Sequence, residues 1–323
     1  MEGRPGIVCP AFEEARLREL LAAAAGPIEV RAWQEDQNPS ALVARWLGER
    51  GVRTGRIGIE ETTRFTFFDA LRRTAPAFEY ASGDAVTIGC RARKSAHELE
   101  LMRLACEATF DVYKAVFASL REGMTQRDIA ALVRQGFERM GLSGGALVLL
   151  GKWAALPHGT TQPQKLVEGE LALVDGGTSV EGYASDVTRC MVLGKPSDKL
   201  QRAFETVRKA QDAALATARR GRLAGSVDDA ARAVITAAGY GRNYELFTHR
   251  VGHGIGLDGH EYPYLVRGSK TVLEPGMTFS NEPGIYAHGD FGIRLEDDMV
   301  IAEEGPARLL TPGFSPSLEK PMG

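Results

Sequence analysis

Two stretches of the chain are built on one plan, and that plan limits the folds open to it. Residues 171–177 and 183–192 are β-like runs joined by a turn near Glu181-Gly182, and residues 277–286 and 291–298 flank a turn around His288-Gly289-Asp290. Each hairpin is expected to set two acids against each other across its strands: Asp175 opposite Asp186, and Glu282 opposite Glu296, the latter pair symmetric about Gly289. Asp175 sits in Leu173-Val174-Asp175, where apolar neighbours predict burial rather than an exposed turn. Opposed like charges destabilise a sheet unless something cationic lies between them. Arg294, two residues before Glu296, should share its face and is a candidate anchor for a substrate.

The helical pattern also echoes itself. Ser95-Ala96-His97-Glu98 forms a capping box that opens a long helix to about residue 122, and a short helix with a Thr125 cap follows, ending at Gly141. A second long helix over about 198–219 precedes a second short one, capped at Ser226 and ending at Gly239. The echo suggests a duplicated unit of two helices and a sheet, with chance similarity between capped amphipathic helices as the alternative. Upstream, short apolar runs at 7–9, 28–30 and 56–59 alternate with helical stretches at 12–25 and 41–50, the pattern of a small α/β domain. The division expected is therefore 1–92 for the small domain and 93–323 for the larger one, which suits a chain of 323 residues.

Composition removes several classes of function. Lys and Arg number 39 against 42 Asp and Glu, so nothing draws the chain to nucleic acid or an anionic membrane. The longest apolar stretch, residues 20–25, is far short of the roughly 20 residues that span a bilayer, and no basic-then-apolar leader opens the sequence. The expected location is the cytoplasm. Cys9, Cys90, Cys106 and Cys190 lack metal-ligand spacing and are expected to be buried free thiols.

Between the hairpins, residues 248–261 hold His249, His253 and His260 among repeated glycines that would let backbone approach a ligand. Four buried carboxylates beside a histidine require several positive charges, and two divalent ions supply them. Carboxylate oxygens with one imidazole suit manganese, cobalt or zinc better than copper or an iron–sulfur cluster, and the histidine argues against magnesium or calcium. Paired ions lower the pKa of a shared water, which makes hydrolysis the leading chemistry. His158, in a loop signal, is a candidate donor to a developing oxyanion, with a loop histidine of no function as the alternative. His97 reads as a solvated first-turn residue, and His249 and His288 are given no role.

Five motifs stand in order: Val-Asp-Gly-Gly at 174–177, Ala-Ser-Asp-Val-Thr-Arg at 184–189, Gly-His-Gly-Ile-Gly-Leu-Asp-Gly-His-Glu at 252–261, Asn-Glu-Pro-Gly-Ile-Tyr at 281–286 and Ile-Arg-Leu-Glu-Asp at 293–297. In these the chain resembles the pita-bread metallopeptidases, in the branch of prolidase (Xaa-Pro dipeptidase) and aminopeptidase P. The resemblance implies an α+β fold: a catalytic domain of two αα-plus-antiparallel-sheet halves about a pseudo-twofold axis, preceded by a small α/β domain. It implies two divalent ions, manganese foremost, with Asp175 chelating one, Asp186 and Glu296 bridging both, and His253 and Glu282 completing the second. It further implies that Glu282 moves the proton of a water held between the ions, that His158 and His260 stabilise the tetrahedral intermediate, and that Tyr286 and Arg294 line the substrate site, with Arg267 as a further carboxylate anchor. The substrate implied is a small peptide with proline at its second position, and the assembly a homodimer. One departure is that a Tyr-Leu-Thr-Gly-like segment of the family's first domain is missing, so the chain is expected to start partway into that domain. A methionine aminopeptidase-like exopeptidase and a non-catalytic peptide-binding module are the competing readings; metal-free amidinohydrolase and lyase relatives share the fold, and the intact ligand set argues against them.

Overall fold

Caps and glycines written into the sequence set most helix ends in the computed structural model, which describes residues 4–22 and 26–323. Two compact units emerge, Met1–Gly89 and Cys90–Gly323. In the first, β1 (Gly6–Pro10), a 3-10 turn and α1 (Glu14–Leu21) lead to β2 (Glu29–Trp33), which pairs parallel to β1. After α2 (Pro39–Glu49), β3 (Gly55–Ile59), α3 (Phe65–Thr74) and β4 (Phe78–Ser82) repeat the arrangement, again with parallel pairing. These are β-α-β crossovers, the α/β pattern expected from the alternation. The expected first helix runs only to Leu21, and its last three predicted positions, 23–25, lie outside the described residues.

The second unit begins in α4 (Asp84–Arg91), which carries Cys90 on its exposed side. Cys9, Cys106 and Cys190 are buried free thiols, whereas Cys90 corrects the expectation, because an amphipathic helix of this length leaves one face in water. The long helix α5 (Ala96–Ser119) has its full capping box, with Ser95 accepting from the Glu98 amide and Glu98 from the Ser95 amide. α6 (Gln126–Arg139) has the same box from Thr125 and Asp128. Their apolar faces cover the sheet of β5 (Gly144–Leu150), β6 (Leu171–Val180), β7 (Tyr183–Ala184) and β8 (Val187–Val192): Phe110, Tyr113, Phe117, Ile129, Val133 and Phe137 bury against Val148, Leu150 and Val174. At roughly 1.5–3 kcal/mol for each fully buried large side chain, this layer is a principal source of the unit's stability.

The plan then recurs. α7 (Asp198–Thr217), capped by Ser197, and α8 (Ala224–Ala237) precede β9 (Gly252–Gly254), β10 (Glu261–Leu265), β11 (Thr278–Asn281), β12 (Gly284–Ala287), β13 (Phe291–Arg294), β14 (Asp297–Val300) and β15 (Arg308–Leu309). Five of these strands form one sheet in the order β10-β9-β11-β14-β15, with β12 and β13 as an extended hairpin. A long helix, a short helix and an antiparallel sheet thus occur twice, as the echo suggested. One cap differs from expectation: α8 starts at Ala224, and Ser226 lies inside its first turn, bonded to the Leu223 carbonyl. Backbone replaces the side-chain cap there, since the Ala224 and Gly225 amides donate to the carbonyls of Thr271 and Ser269.

The halves meet edge to edge. Glu296 donates its amide to the Thr188 carbonyl at 3.2 Å, an isolated antiparallel bridge from the second hairpin to the first. No helix among the described residues is long and apolar enough to cross a membrane.

Candidate metal centre

The two hairpins deliver their acids to this junction in different registers. Residues 278–300 keep one register throughout, Asn281 facing Asp297 and Gly284 facing Arg294, so Glu282 and Glu296 fall opposite each other as their symmetry about Gly289 predicts. In the first hairpin Val180 closes on Tyr183, with positive φ at both Glu181 and Gly182. That two-residue turn is centred one position later than the expected pairing required, so Asp175 faces Thr188, and Asp186 is its diagonal neighbour on the same face. Thr188 was not singled out from the sequence. Its buried hydroxyl lies 2.8 Å from Asp175 Oδ1 and 2.6 Å from Glu296 Oε2 and links the acids of the two hairpins.

His253, on β9, turns Nε2 towards Glu282 Oε1 at 3.4 Å and Asp186 Oδ2 at 3.9 Å. His260 stacks on it, ring centroids 3.7 Å apart. Donor atoms converge in three overlapping groups, each within 4.8 Å: Asp175, Asp186 and Glu296; His253, Glu282 and Glu296; Asp186, His253 and His260. All five expected ligands therefore come together, with His260 as a neighbour. The glycines around His253 serve a different purpose from the one expected. A Cβ on Gly252 would lie 2.0 Å from the Ser280 carbonyl, so this glycine lets β9 press against β11 rather than against a ligand.

The remaining expected residues surround this cluster. Arg294 is buried and spoken for: it bonds Asp175, donates to the Tyr286 hydroxyl at 2.9 Å and reaches the Pro157 carbonyl at 3.3 Å. That last contact ties down the turn that exposes His158. His249, given no role from the sequence, has Nε2 2.6 Å from the Tyr286 hydroxyl and Nδ1 3.7 Å from Glu282. Arg267 pairs with Asp229 and Asn243. His97 and His288 are exposed. The basic run 91–94 turns inward: Lys94 and Arg91 each lie 2.5 Å from the buried Glu261, which anchors the strand that follows His260.

Electrostatics shows what the cluster lacks. Burial, then mutual repulsion, pushes the carboxyls of Asp186 and Glu296 well above the usual range, and burial raises Glu282 to about 8. Burial likewise lowers His249 and His253 to about 3, keeping both imidazoles neutral and able to act as ligands. Arg294 is engaged with Asp175, which leaves three carboxylates without a cation of their own. Divalent ions fit that deficit and this mixed oxygen–nitrogen donor set.

The shifts predict how the metal-free protein responds to pH. Groups with raised folded-state pKa stabilise below the unfolded value and lose that stability as pH rises through the folded one. The depressed histidines act oppositely, but only below about pH 6.5. Between about pH 7 and 8, therefore, chelated protein should melt at progressively lower temperature, and manganese should remove most of that fall. A melting temperature that rises with pH in chelator over this window contradicts the account.

A duplicated helix–helix–sheet frame that gathers carboxylates and imidazoles at its seam defines a divalent-metal hydrolase. Residues 100–303 match metallopeptidase family M24, and the chain belongs to that family. It is similar to an Xaa-Pro dipeptidase of Lactobacillus delbrueckii subsp. lactis, 34% identical over 94% of this chain and 82% of that protein. Among solved structures it resembles dipeptidase PepE of Mycobacterium ulcerans (34% identity, TM-score 0.87, 97% of this chain and 82% of that one). It also resembles an X-Pro aminopeptidase of Thermotoga maritima (28% identity, TM-score 0.83, covering 97% and 86%). The architecture is the pita-bread fold, and the chain is a metallopeptidase.

Proposed function

We propose that this metallopeptidase hydrolyses the Xaa-Pro bond at the N-terminus of dipeptides or short peptides, using two divalent ions, manganese foremost. The observation that carries the reading is the convergence of Asp175, Asp186, His253, Glu282 and Glu296 in overlapping donor groups. The relatives' names supply the proline specificity. When bound, the ions supply a water of lowered pKa and polarise the scissile carbonyl.

The chain's own groups do the rest. Glu282, which faces His253 in the donor cluster, would act as an ionised carboxylate, the form that bound cations favour, taking the proton of the attacking water and returning it to the leaving nitrogen. His260, neutral and stacked on His253, and His158, on its tied turn, donate hydrogen bonds to the oxygen that gains charge. Arg294 and Tyr286 fix Asp175 and His249 around the site. Free thiols at all four cysteines fit a cytoplasmic setting, and we assign the protein a homodimeric state on the family's pattern.

The test is a peptide panel with manganese-loaded protein and a chelated control: Ala-Pro, Ala-Pro-Ala and Met-Ala-Ser. Metal-dependent release of proline from Ala-Pro, or of Pro-Ala from Ala-Pro-Ala, is the expected result. Cleavage of Met-Ala-Ser alone would transfer the protein to the methionine-directed reading, and no metal-dependent cleavage of any peptide would refute the peptidase mechanism.

A further inference from the structure

Between α8 and β9 the chain forms neither helix nor strand, yet residues 243–251 make one side of the metal centre. His249 meets the Tyr286 hydroxyl and lies 3.7 Å from Glu282. The Leu246 carbonyl accepts from the Tyr286 amide at 2.9 Å, and the Val251 carbonyl accepts from the Glu282 amide at 2.8 Å. The apolar side chains that this segment buries are Phe247 and Val251, a small core for so irregular a path. The path is fixed instead by Arg232, a buried residue of α8. Each of its five N–H groups has an acceptor: Asp228 takes two, at 2.5 and 3.2 Å, and the carbonyls of Asn243 and Phe247, both at 2.8 Å, and of His249 take the rest. Asp228 in turn accepts the Val251 amide at 2.8 Å, and the guanidinium lies 3.9 and 4.3 Å from the centres of the Tyr244 and Phe247 rings.

Resting on the Xaa-Pro reading above, we infer that Arg232 is a positioning residue for the reaction: its guanidinium is the core around which residues 243–251 fold, and through them it holds His249 and the 282–286 segment in place at the metal centre. A wall of irregular chain has carbonyls that no ladder satisfies, and a planar fork meets three of them at once while Asp228 neutralises its charge. A lysine, with three N–H groups on one nitrogen, cannot meet five acceptors. The consequence at His249 is specific. Its Nδ1 lies 2.7 Å from the Arg250 carbonyl, which can only accept, so Nδ1 carries the proton and Nε2 accepts from the Tyr286 hydroxyl. By holding the His249 carbonyl, Arg232 fixes the backbone from which that ring reaches Tyr286.

The experiment uses manganese-loaded protein and two variants that leave no unpaired charge inside: Arg232→Lys, which keeps the pair with Asp228, and the double variant Asp228→Leu with Arg232→Met, which removes it whole. Both should fold, and both leave carbonyls of the wall without donors. The expected result is a kcat/KM for Ala-Pro lower by roughly 10²-fold in the double variant, and by less in Arg232→Lys. The number of manganese ions retained should not change, and the backbone amides of Glu282 and Tyr286 should exchange with solvent about 10-fold faster or more. An ion pair needed only for stability would return activity together with the melting temperature. Wild-type kcat/KM in a folded double variant, unchanged exchange at these two amides, or loss of manganese in parallel with activity therefore overturns the assignment. If the double variant does not fold, Arg232→Lys carries the same readouts, and failure of both to fold overturns it as well. Should the wild type not cleave Ala-Pro, faster exchange at the two amides with manganese content unchanged sustains the role of Arg232, and unchanged exchange refutes it.

Discussion

Alanine at Asp186 or Glu296 is expected to abolish turnover, lowering kcat/KM by at least the 10²–10³-fold that loss of one key electrostatic group costs. These two are the carboxylates that belong to two donor groups each: Asp186 joins Asp175 with Glu296 and also His253 with His260, and Glu296 joins Asp175 with Asp186 and also His253 with Glu282. Removing either therefore disturbs two of the three donor groups. Stability should move the other way. Both carboxyls are buried and raised well above the ordinary range by burial and by neighbouring acids, so in chelator each substitution relieves repulsion and should not lower the melting temperature. An inactive variant that is no less stable than wild type when both are metal-free thus separates loss of the site from loss of the fold. Near-normal activity in either variant contradicts the mechanism.

Arg189→Met is expected to have the largest effect on stability, about 3–5 kcal/mol, the cost of breaking one side of a buried ion pair. Arg189 is fully buried and donates to Asp297 at 2.6 Å, to the carbonyls of Glu296 and Gly313 at 2.7 Å each, and to that of Thr188 at 3.0 Å. It thus fastens the first hairpin to the second immediately behind the bridge that carries Thr188 and Glu296. Without it Asp297 keeps, among the described residues, Gln211 and Thr311, and three carbonyls each lose a donor. Denaturant unfolding followed by a probe in the catalytic unit measures the loss. Arg189→Met combined with Asp297→Leu should recover part of it, because a buried pair replaced whole by apolar groups is often tolerated. A single variant as stable as wild type would show that the pair does not hold the seam.

What was legible in the sequence follows the range of the forces involved. Ser95, Thr125 and Ser197 mark helix starts through hydrogen bonds three residues long, and Gly141 and Gly239 mark ends through positive φ, so these boundaries are local and readable. The second hairpin could be registered from its symmetry about Gly289. The first was misjudged because its register depends on whether the turn is centred before or after Glu181, a one-residue matter that moves Asp175 from Asp186 to Thr188. The clustered acids and His253 could be read because apolar neighbours predict their burial and buried acids require a cation. Residues whose roles depend on distant partners were not readable: Arg189 meets Asp297, Lys94 meets Glu261 and Arg294 meets Asp175 across more than a hundred positions that no periodicity connects. The anchor expected of Arg294 illustrates the point, since it shares the face of Glu296 but spends its charge on Asp175.

The most direct test of the central claim is the number of manganese ions retained per chain by the wild-type protein after loading and gel filtration, measured beside its hydrolysis of Ala-Pro. The account predicts two ions and turnover that disappears when they are removed and returns when they are restored. Undiminished hydrolysis by protein that holds no ion, or a loaded protein that retains none, would contradict it.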